Sequence, residues 1–301
     1  MKVINLGSLN VDYVYRVDEF LLPGETRPSK DRTVHAGGKG LNQSIALARA
    51  GAEVYHAGII GNDGAILRDT LVKNGVRVDF LASLDEASGH TIIQVNDAGE
   101  NKIILYGGTN RQLSARFIDN ALDHFGSSDV LLVQNETNLV GYAIEKARAR
   151  GMKTVFNAAP ITREITEYPL EYVDWLIVNE IEGAALAGTD AASAEPEKIL
   201  NTLASRYPSM TVFLTLGAAG CRCAHDGGII SAPAFPVDKD KIVDTTAAGD
   251  TFTGYLLQSL INGRSVKDAM VRASAASALA IQKLGASSSI PFAAEVDGFT
   301  G

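Results

Sequence analysis

Residues 243–252, Val-Asp-Thr-Thr-Ala-Ala-Gly-Asp-Thr-Phe, place three nearly bare residues, Ala247, Ala248 and Gly249, directly before a carboxylate, Asp250. Phe252, Tyr255, Leu256 and Leu260 then recur at helical spacing on one predicted face, and Asn262-Gly263 is a stop signal. The pattern predicts a helix beginning at Ala247-Ala248-Gly249, after an extended segment holding Pro233 and Pro236. Backbone N–H groups at such a start lack intrahelical acceptors and sit at the positive dipole end. Small side chains leave those donors open to an anion. An ionised Asp250 beside them can take the proton of a hydroxyl that attacks the anion. On its own, the same aspartate could equally serve only to stabilise its helix.

Other polar residues follow short apolar runs that read as strands. These are Asn10 and Asp12, Asn135 and Glu136, Asn157, Asn179 and Glu182, and Thr215 and Gly217. Ligands of open parallel sheets bind beyond the carboxyl ends of the strands, so these groups should gather on one edge with Asp250. A single Asn there is ordinarily a turn residue; the repetition is what argues for a site. Gly37-Gly38-Lys39-Gly40 lets backbone lie close to a polar ligand. It is not a Walker A loop, because the upstream glycine is missing and Gly40 stands where Ser or Thr is required. No G-x-G-x-x-G opens the first strand-helix turn, which argues against a nicotinamide enzyme. Asn179 and Glu182 read either as helix-start residues or as a hold on water-coordinated magnesium. Residues 215–220 read as a turn or as a glycine-rich wall against nucleotide phosphates. His35, His56, His90, His124 and His225 show no metal spacing.

The elements that must position these groups alternate strand and helix. Residues 2–6, 52–60, 130–133, 154–156, 176–178 and 212–214 read as strands with helical patterns between them. The rhythm predicts an α/β fold with a mostly parallel sheet covered by helices on both faces. Residues 91–95 and 102–106 predict an antiparallel hairpin. With residues 11–17 and 32–35 it could form a small separate sheet, a natural lid. Ser265 with Asp268 opens a last long helix, alanine-rich over 273–280 and expected to end at Gly285. No repeat or linker divides the 301 residues, so one domain with a lid is expected.

The net charge of -8 argues against a general nucleic-acid surface but not against one phosphorylated ligand. Residues 1–12 lack a basic start followed by a long apolar stretch, and no apolar run is long enough to span a bilayer. Cys221 and Cys223 read as buried strand thiols, not as a disulfide or metal site. A cytoplasmic protein with no membrane or nucleic-acid partner is expected.

Gly7-Ser8-Leu9-Asn10-Val11-Asp12, Gly37-Gly38-Lys39-Gly40-Leu41-Asn42-Gln43, Asn157-Ala158-Ala159-Pro160, Asn179-Glu180-Ile181-Glu182, Thr215-Leu216-Gly217 and the 244–250 segment resemble the ribokinase/PfkB family of sugar kinases. The match runs nearly end to end, in order. The resemblance implies a three-layer sandwich with a mostly parallel central sheet and a β lid formed from about residues 11–35 and 89–108. It implies ATP-dependent phosphorylation of a primary hydroxyl, most simply D-ribose giving D-ribose 5-phosphate. Another pentose or hexose, deoxyribose or a nucleoside are alternatives on the same scaffold, and a silent sugar-binding protein is a remoter one. Asp250 matches the family's base, and Ala247, Ala248 and Gly249 match its anion hole. Asn10, Asp12, Gly38, Lys39, Asn42 and Glu136 match sugar-binding positions. Asn179, Thr215, Gly217, Gly220 and Ser274 match nucleotide positions, and Glu182 matches the acid near Mg2+. Asp244, Thr246, Ala280, Lys283, Gly285 and Ser289 match a monovalent-cation site for K+, several through backbone oxygens. The lid implies a homodimer. Gly107-Gly108-Thr109-Asn110 departs from the family's usual Gly-Ala-Asn, and Glu136 keeps its acid in altered surroundings.

Overall fold

Every residue of Val3–Leu6 is buried, as expected of a strand covered on both faces. In the computed structural model, which describes residues 1–190 and 194–299, this is β1. Strands β2 (Asn10–Arg16) and β3 (Asp31–Gly37) follow, then helix α1 (Lys39–Arg49). Next come β4 (Val54–Ile60), α2 (Ala65–Lys73), β5 (Arg77–Ser83), β6 (Gly89–Val95) and β7 (Asn101–Tyr106). The alternation continues with α3 (Ala115–Leu122), β8 (Val130–Gln134), α4 (Val140–Ala149) and β9 (Lys153–Asn157). It proceeds through β10 (Trp175–Asn179), α5 (Glu180–Ala187), α6 (Pro196–Arg206) and β11 (Thr211–Thr215). Strands β12 (Cys221–His225) and β13 (Gly228–Ala232) precede α7 (Ala248–Ile261), α8 (Val266–Ala280), α9 (Ala286–Ser289) and α10 (Ala293–Asp297).

Among the described residues the strands form two sheets. The larger has nine strands in the order β13-β12-β11-β10-β9-β8-β1-β4-β5, parallel except for β12 and β13 at one edge. Its two-residue period feeds two cores. Val3, Leu132, Val155, Ile177 and Phe213 pack on the side of Leu41, Ile45, Leu256 and Met270. Ile4, Leu131, Phe156, Leu176 and Val212 face Ile118, Ile144, Leu186 and Leu200. The predicted mostly parallel, two-sided architecture is therefore present. The second sheet, β3-β2-β6-β7, unites the segments expected to form a separate sheet.

Several details differ from expectation. Residues 77–83 form an edge strand that alternating exposed positions, Arg77 and Asp79 among them, concealed. Helix α8 ends at Ala280, short of Gly285. Helix α7 is buried nearly all round, including Thr251, Thr253, Gln258 and Ser259, rather than on one face. Its Gly254 explains how this is possible: a Cβ there would lie 2.4 Å from Ala46 Cβ of α1 and 2.8 Å from the Leu47 nitrogen. The two helices thus touch backbone to backbone.

Gly254→Val should force α1 and α7 apart and destabilise the fold by about 1–3 kcal/mol, the usual cost of overpacking. Urea denaturation reads this directly. A midpoint equal to that of the unmodified protein would contradict the close approach.

Candidate active site

Asp250 is the third residue of α7 and is buried. Its two oxygens are held by consecutive amides of α1: Asn42 Nδ2 donates to Oδ2 at 2.9 Å, and Gln43 Nε2 to Oδ1 at 2.9 Å. Burial raises its pKa, and the nearby Glu136 charge adds to that. Lys39, Gln43 and Asn42 oppose the rise. Ala247 caps the helix, as its small size and position predicted. The Ala248 N–H is engaged by the Thr245 carbonyl at 3.2 Å. Gly249 is exposed, and a Cβ there would find no atom within 4 Å, so the ground before the helix start is open.

The expected sugar-side residues converge through the β1–β2 loop and the start of α1. Glu136 Oε2 accepts from the Lys39 N–H at 3.0 Å and from Ser8 Oγ. Ser8 Oγ in turn accepts from the Gly40 N–H at 3.2 Å. A Cβ on Gly40 would lie 2.3 Å from the Ser8 nitrogen, so only glycine admits this approach. Gly38 has φ +97°, which also favours glycine. Asp12, half-buried on β2, accepts from Thr91 Oγ1 at 2.5 Å. A Cβ on Gly37 of the neighbouring strand, diagonal to Asp12, would fall 1.9 Å from Asp12 Oδ2. Burial raises the Asp12 pKa to about 6; the Glu136 charge also raises it, while Thr91 and His35 lower it. Asn10 is buried, and its Oδ1 accepts from Asn110 Nδ2 at 2.8 Å. Burial depresses the Lys39 pKa, but Asp250, Glu136 and Glu182 outweigh it and leave it above the usual lysine value.

A cavity of about 120 Å³ is lined by Lys39, Asn179, Glu182, Thr215, Gly249 and Asp250 among others, and the expected sugar-side residues Asn10, Asp12, Gly38, Asn42 and Glu136 do not line it. Asn179 and Glu182 form a reciprocal capping box: Asn179 Oδ1 accepts from the Glu182 N–H at 2.8 Å, and Glu182 Oε2 from the Asn179 N–H at 2.9 Å. The helix-start reading is therefore met, and one carboxylate oxygen of Glu182 stays outside the box. Burial raises the Glu182 pKa. Thr215 ends β11, and Gly217 has φ +53° in the turn that follows. Gly220 is crowded, since a Cβ would lie 2.3 Å from the Ala232 carbonyl oxygen. Ser274 is buried, with its Oγ 3.9 Å from Cys221 Sγ, and it does not line the cavity.

Asp244 organises the loop before α7. Its Oδ1 accepts from the Thr246 N–H at 2.9 Å and Thr246 Oγ1 at 2.5 Å, and its Oδ2 accepts from the Gly285 N–H at 3.0 Å. Thr246 and Gly285, the latter with φ +91°, are thereby brought together. The Ala280 carbonyl accepts from the Lys283 N–H at 3.0 Å, and the Lys283 ammonium pairs with Glu295 at 2.7 Å. Ser289 is buried, and its hydroxyl donates to the Ala286 carbonyl at 2.9 Å.

The structure adds residues that the sequence reading left without a role. Gln43 sits in the glycine-rich motif beside Asn42, yet its contact with Asp250 depends on how α1 meets α7. Ser8 and Thr91 orient carboxylates from other elements. Asn110 clamps the main chain of Leu9 as well as Asn10, accepting from the Leu9 N–H at 2.9 Å and donating to its carbonyl at 3.2 Å. Its appearance in a motif that departs from the family pattern was the one available signal.

Comparison with known proteins bears on this geometry. A family profile described as "pfkB family carbohydrate kinase" matches residues 1–293. A ribokinase of Haemophilus influenzae is 34% identical over 291 residues, covering 95% of this chain and 94% of that one. The ribokinase of Cryptococcus neoformans var. grubii serotype A, solved in complex with ADP, superposes with a TM-score of 0.86 at 31% identity, covering 98% of each chain. The Arabidopsis thaliana ribokinase complexed with ribose and ATP gives a TM-score of 0.85 at 27% identity, covering 99% of each. Together with the buried aspartate at an open helix start, the match over nearly its whole length means that this chain belongs to the pfkB family of carbohydrate kinases.

Proposed function

We propose that this enzyme transfers the γ-phosphoryl group of ATP to the primary hydroxyl of D-ribose, giving D-ribose 5-phosphate and ADP. The observation that carries the reading is Asp250, buried at the open start of α7 with both oxygens held by α1 amides. As the sugar oxygen bonds to the γ-phosphorus, the bond to the β-γ bridging oxygen breaks and its electron pair leaves with ADP. Asp250 takes the hydroxyl proton, and a proton affinity raised by burial suits that task. With the Ala248 N–H turned to the Thr245 carbonyl, the Gly249 amide at the exposed first turn is the donor left to stabilise the charge spread over the transferring group.

Asn42 Oδ1 is buried without a hydrogen-bond partner among the described residues. An orphan acceptor beside the base is satisfied by a sugar hydroxyl. Asn10, Asp12, Lys39 and Glu136 supply further donors and acceptors for a polyol. Support for ribose comes from the relatives, one named a ribokinase and one solved with ribose and ATP. The nucleotide then lies toward Asn179, Thr215, Gly217 and Gly220, with Ser274 behind its base.

Magnesium keeps much of its water and takes phosphate oxygens, so one carboxylate suffices to hold it. Glu182, with an oxygen outside its capping box, fits that role. When bound, the ion neutralises phosphate charge. A K+ ion fits the loop tied by Asp244, where the carbonyls of Thr246, Ala280, Lys283 and Gly285 with Ser289 would hold it. The small sheet acts as a discontinuous lid on a single domain and as a dimer contact, since Ile103, Ile104, Leu105 and Tyr106 of β7 are exposed. Sedimentation velocity reads that assembly. Among the described residues no helix is long and apolar enough to cross a membrane. The reaction draws on the ATP of the cytoplasm.

In an ADP-release assay over a panel of pentoses, hexoses, deoxyribose and nucleosides, D-ribose should give the highest kcat/KM; a better nucleoside or hexose would overturn the substrate. Asp250→Asn should lower kcat by about 10²–10⁴-fold while ribose KM changes little, because it removes the base and keeps the shape. The Asp12 carboxylate, raised to about 6, is ionised at pH 8 and mostly protonated at pH 5. Ribose affinity, read by calorimetry, should therefore weaken as pH falls through that value, and Asp12→Asn should flatten the dependence. Turnover should fall when K+ is replaced by Na+; equal rates would remove the cation assignment.

A further inference from the structure

Gln43 Nε2 uses both of its hydrogens, donating to Asp250 Oδ1 at 2.9 Å and to Asn157 Oδ1 at 2.8 Å. Its Oε1 accepts from Gln134 Nε2 of β8 at 2.8 Å. Gln134 Nε2 also donates to Asn5 Oδ1 of β1 at 2.9 Å. The chain of amides ends on main-chain acceptors: Asn5 Nδ2 on the Gly40 carbonyl at 2.8 Å, and Asn157 Nδ2 on the Ile177 carbonyl at 3.0 Å. Those fixed ends set the direction of every amide between them. A flipped Gln43 would present its oxygen to the Asp250 and Asn157 oxygens and its nitrogen to the Gln134 N–H. Asn5, Gln43 and Gln134 are all fully buried, so no water competes for these bonds.

The links are carboxamides, whose N–H protons do not transfer as those of imidazole or carboxyl groups do. The chain therefore fixes position and carries no proton. We propose that Gln43 is the positioning residue of the base: its amide holds Asp250 Oδ1, and Gln134 keeps that amide turned the productive way. The proposal rests on Asp250 being the base, and it extends that role to two residues that touch neither sugar nor nucleotide in the scheme above. The charged groups facing Asp250 are Lys39 at the start of α1, Glu136 after β8 and Glu182 on α5. Removing the Gln43 donor leaves their balance to burial, which disfavours the carboxylate.

Steady-state kinetics of Gln43→Met, Gln134→Met, the double variant and Asp250→Asn test this. Gln43→Met should lower kcat by about 10- to 100-fold, the scale of a misplaced catalytic group, with both KM values little changed. The acid limb of its kcat profile should move to higher pH. Gln134→Met should show a smaller loss of the same kind. The double variant should be no worse than Gln43→Met, because Gln134 acts through Gln43. Should the methionine variant fail to fold, Gln43→Glu keeps the shape and adds a repelling carboxylate, so its acid limb should rise further. A folded Gln43 variant with unchanged kcat and an unmoved acid limb overturns the proposal, as do independent losses in the double variant. Asp250→Asn separates the two readings: if it is active, the base assignment itself fails; if it is inactive beside an unaffected Gln43 variant, only the positioning proposal fails.

Discussion

The structure depends on one contact, the meeting of α1 and α7 at which the Asn42 and Gln43 amides grip the Asp250 carboxylate. Taking a carboxylate out of water costs several kcal/mol. Two hydrogen bonds to a charged group return on the order of 1.5–3 kcal/mol each, and the Lys39 charge adds to them. The residual imbalance leaves Asp250 ionised more reluctantly than a surface aspartate. That state suits the proposed base, which would bind a proton briefly and release it. Gly254, by letting α7 lie against Ala46 and Leu47, brings the two helices close enough for the grip to form.

A second constraint ties the small sheet to the large one. The β1–β2 loop passes from one sheet into the other, and Ser8, Asn10 and Asp12 lie on it or just beyond. Glu136 is joined to Ser8 and to the Lys39 amide, while Asn110, just beyond the small sheet, is joined to Leu9 and Asn10. The polar side chains proposed to meet a sugar are thus fixed relative to both sheets. A shift of the small sheet would move Asp12 and Thr91 together, because their register pairs them directly. The proposed lid and the proposed sugar contacts are parts of one mechanical unit.

Much of this was legible in the sequence for identifiable reasons. The strand-helix rhythm follows from apolar runs buried on both faces, and the start of α7 follows from the helical spacing of Phe252, Tyr255, Leu256 and Leu260 after the small residues Ala247, Ala248 and Gly249. The Ser265 cap was a local pattern and appeared where expected, and Asn179 with Glu182, read as helix-start residues or as a hold on magnesium, stands at the start of α5. What escaped was non-local. Residues 77–83 carry Arg77 and Asp79 before the short run Phe80-Leu81-Ala82, so they lack the continuous apolar run that marks the central strands. Gln43 and Gln134 are ninety-one positions apart and become partners only after α1 and β8 pack. The contact of the Ser274 hydroxyl with Cys221 is likewise non-local, joining α8 to β12 across fifty-three positions.

The most direct test of the central claim is a crystal structure with ribose and a non-hydrolysable ATP analogue. The 5-hydroxyl of ribose should lie about 2.6–3.2 Å from an Asp250 oxygen, with the terminal phosphate over the Gly249 amide. A ribose whose 5-hydroxyl faces away from Asp250, with no phosphate at the start of α7, would contradict the account.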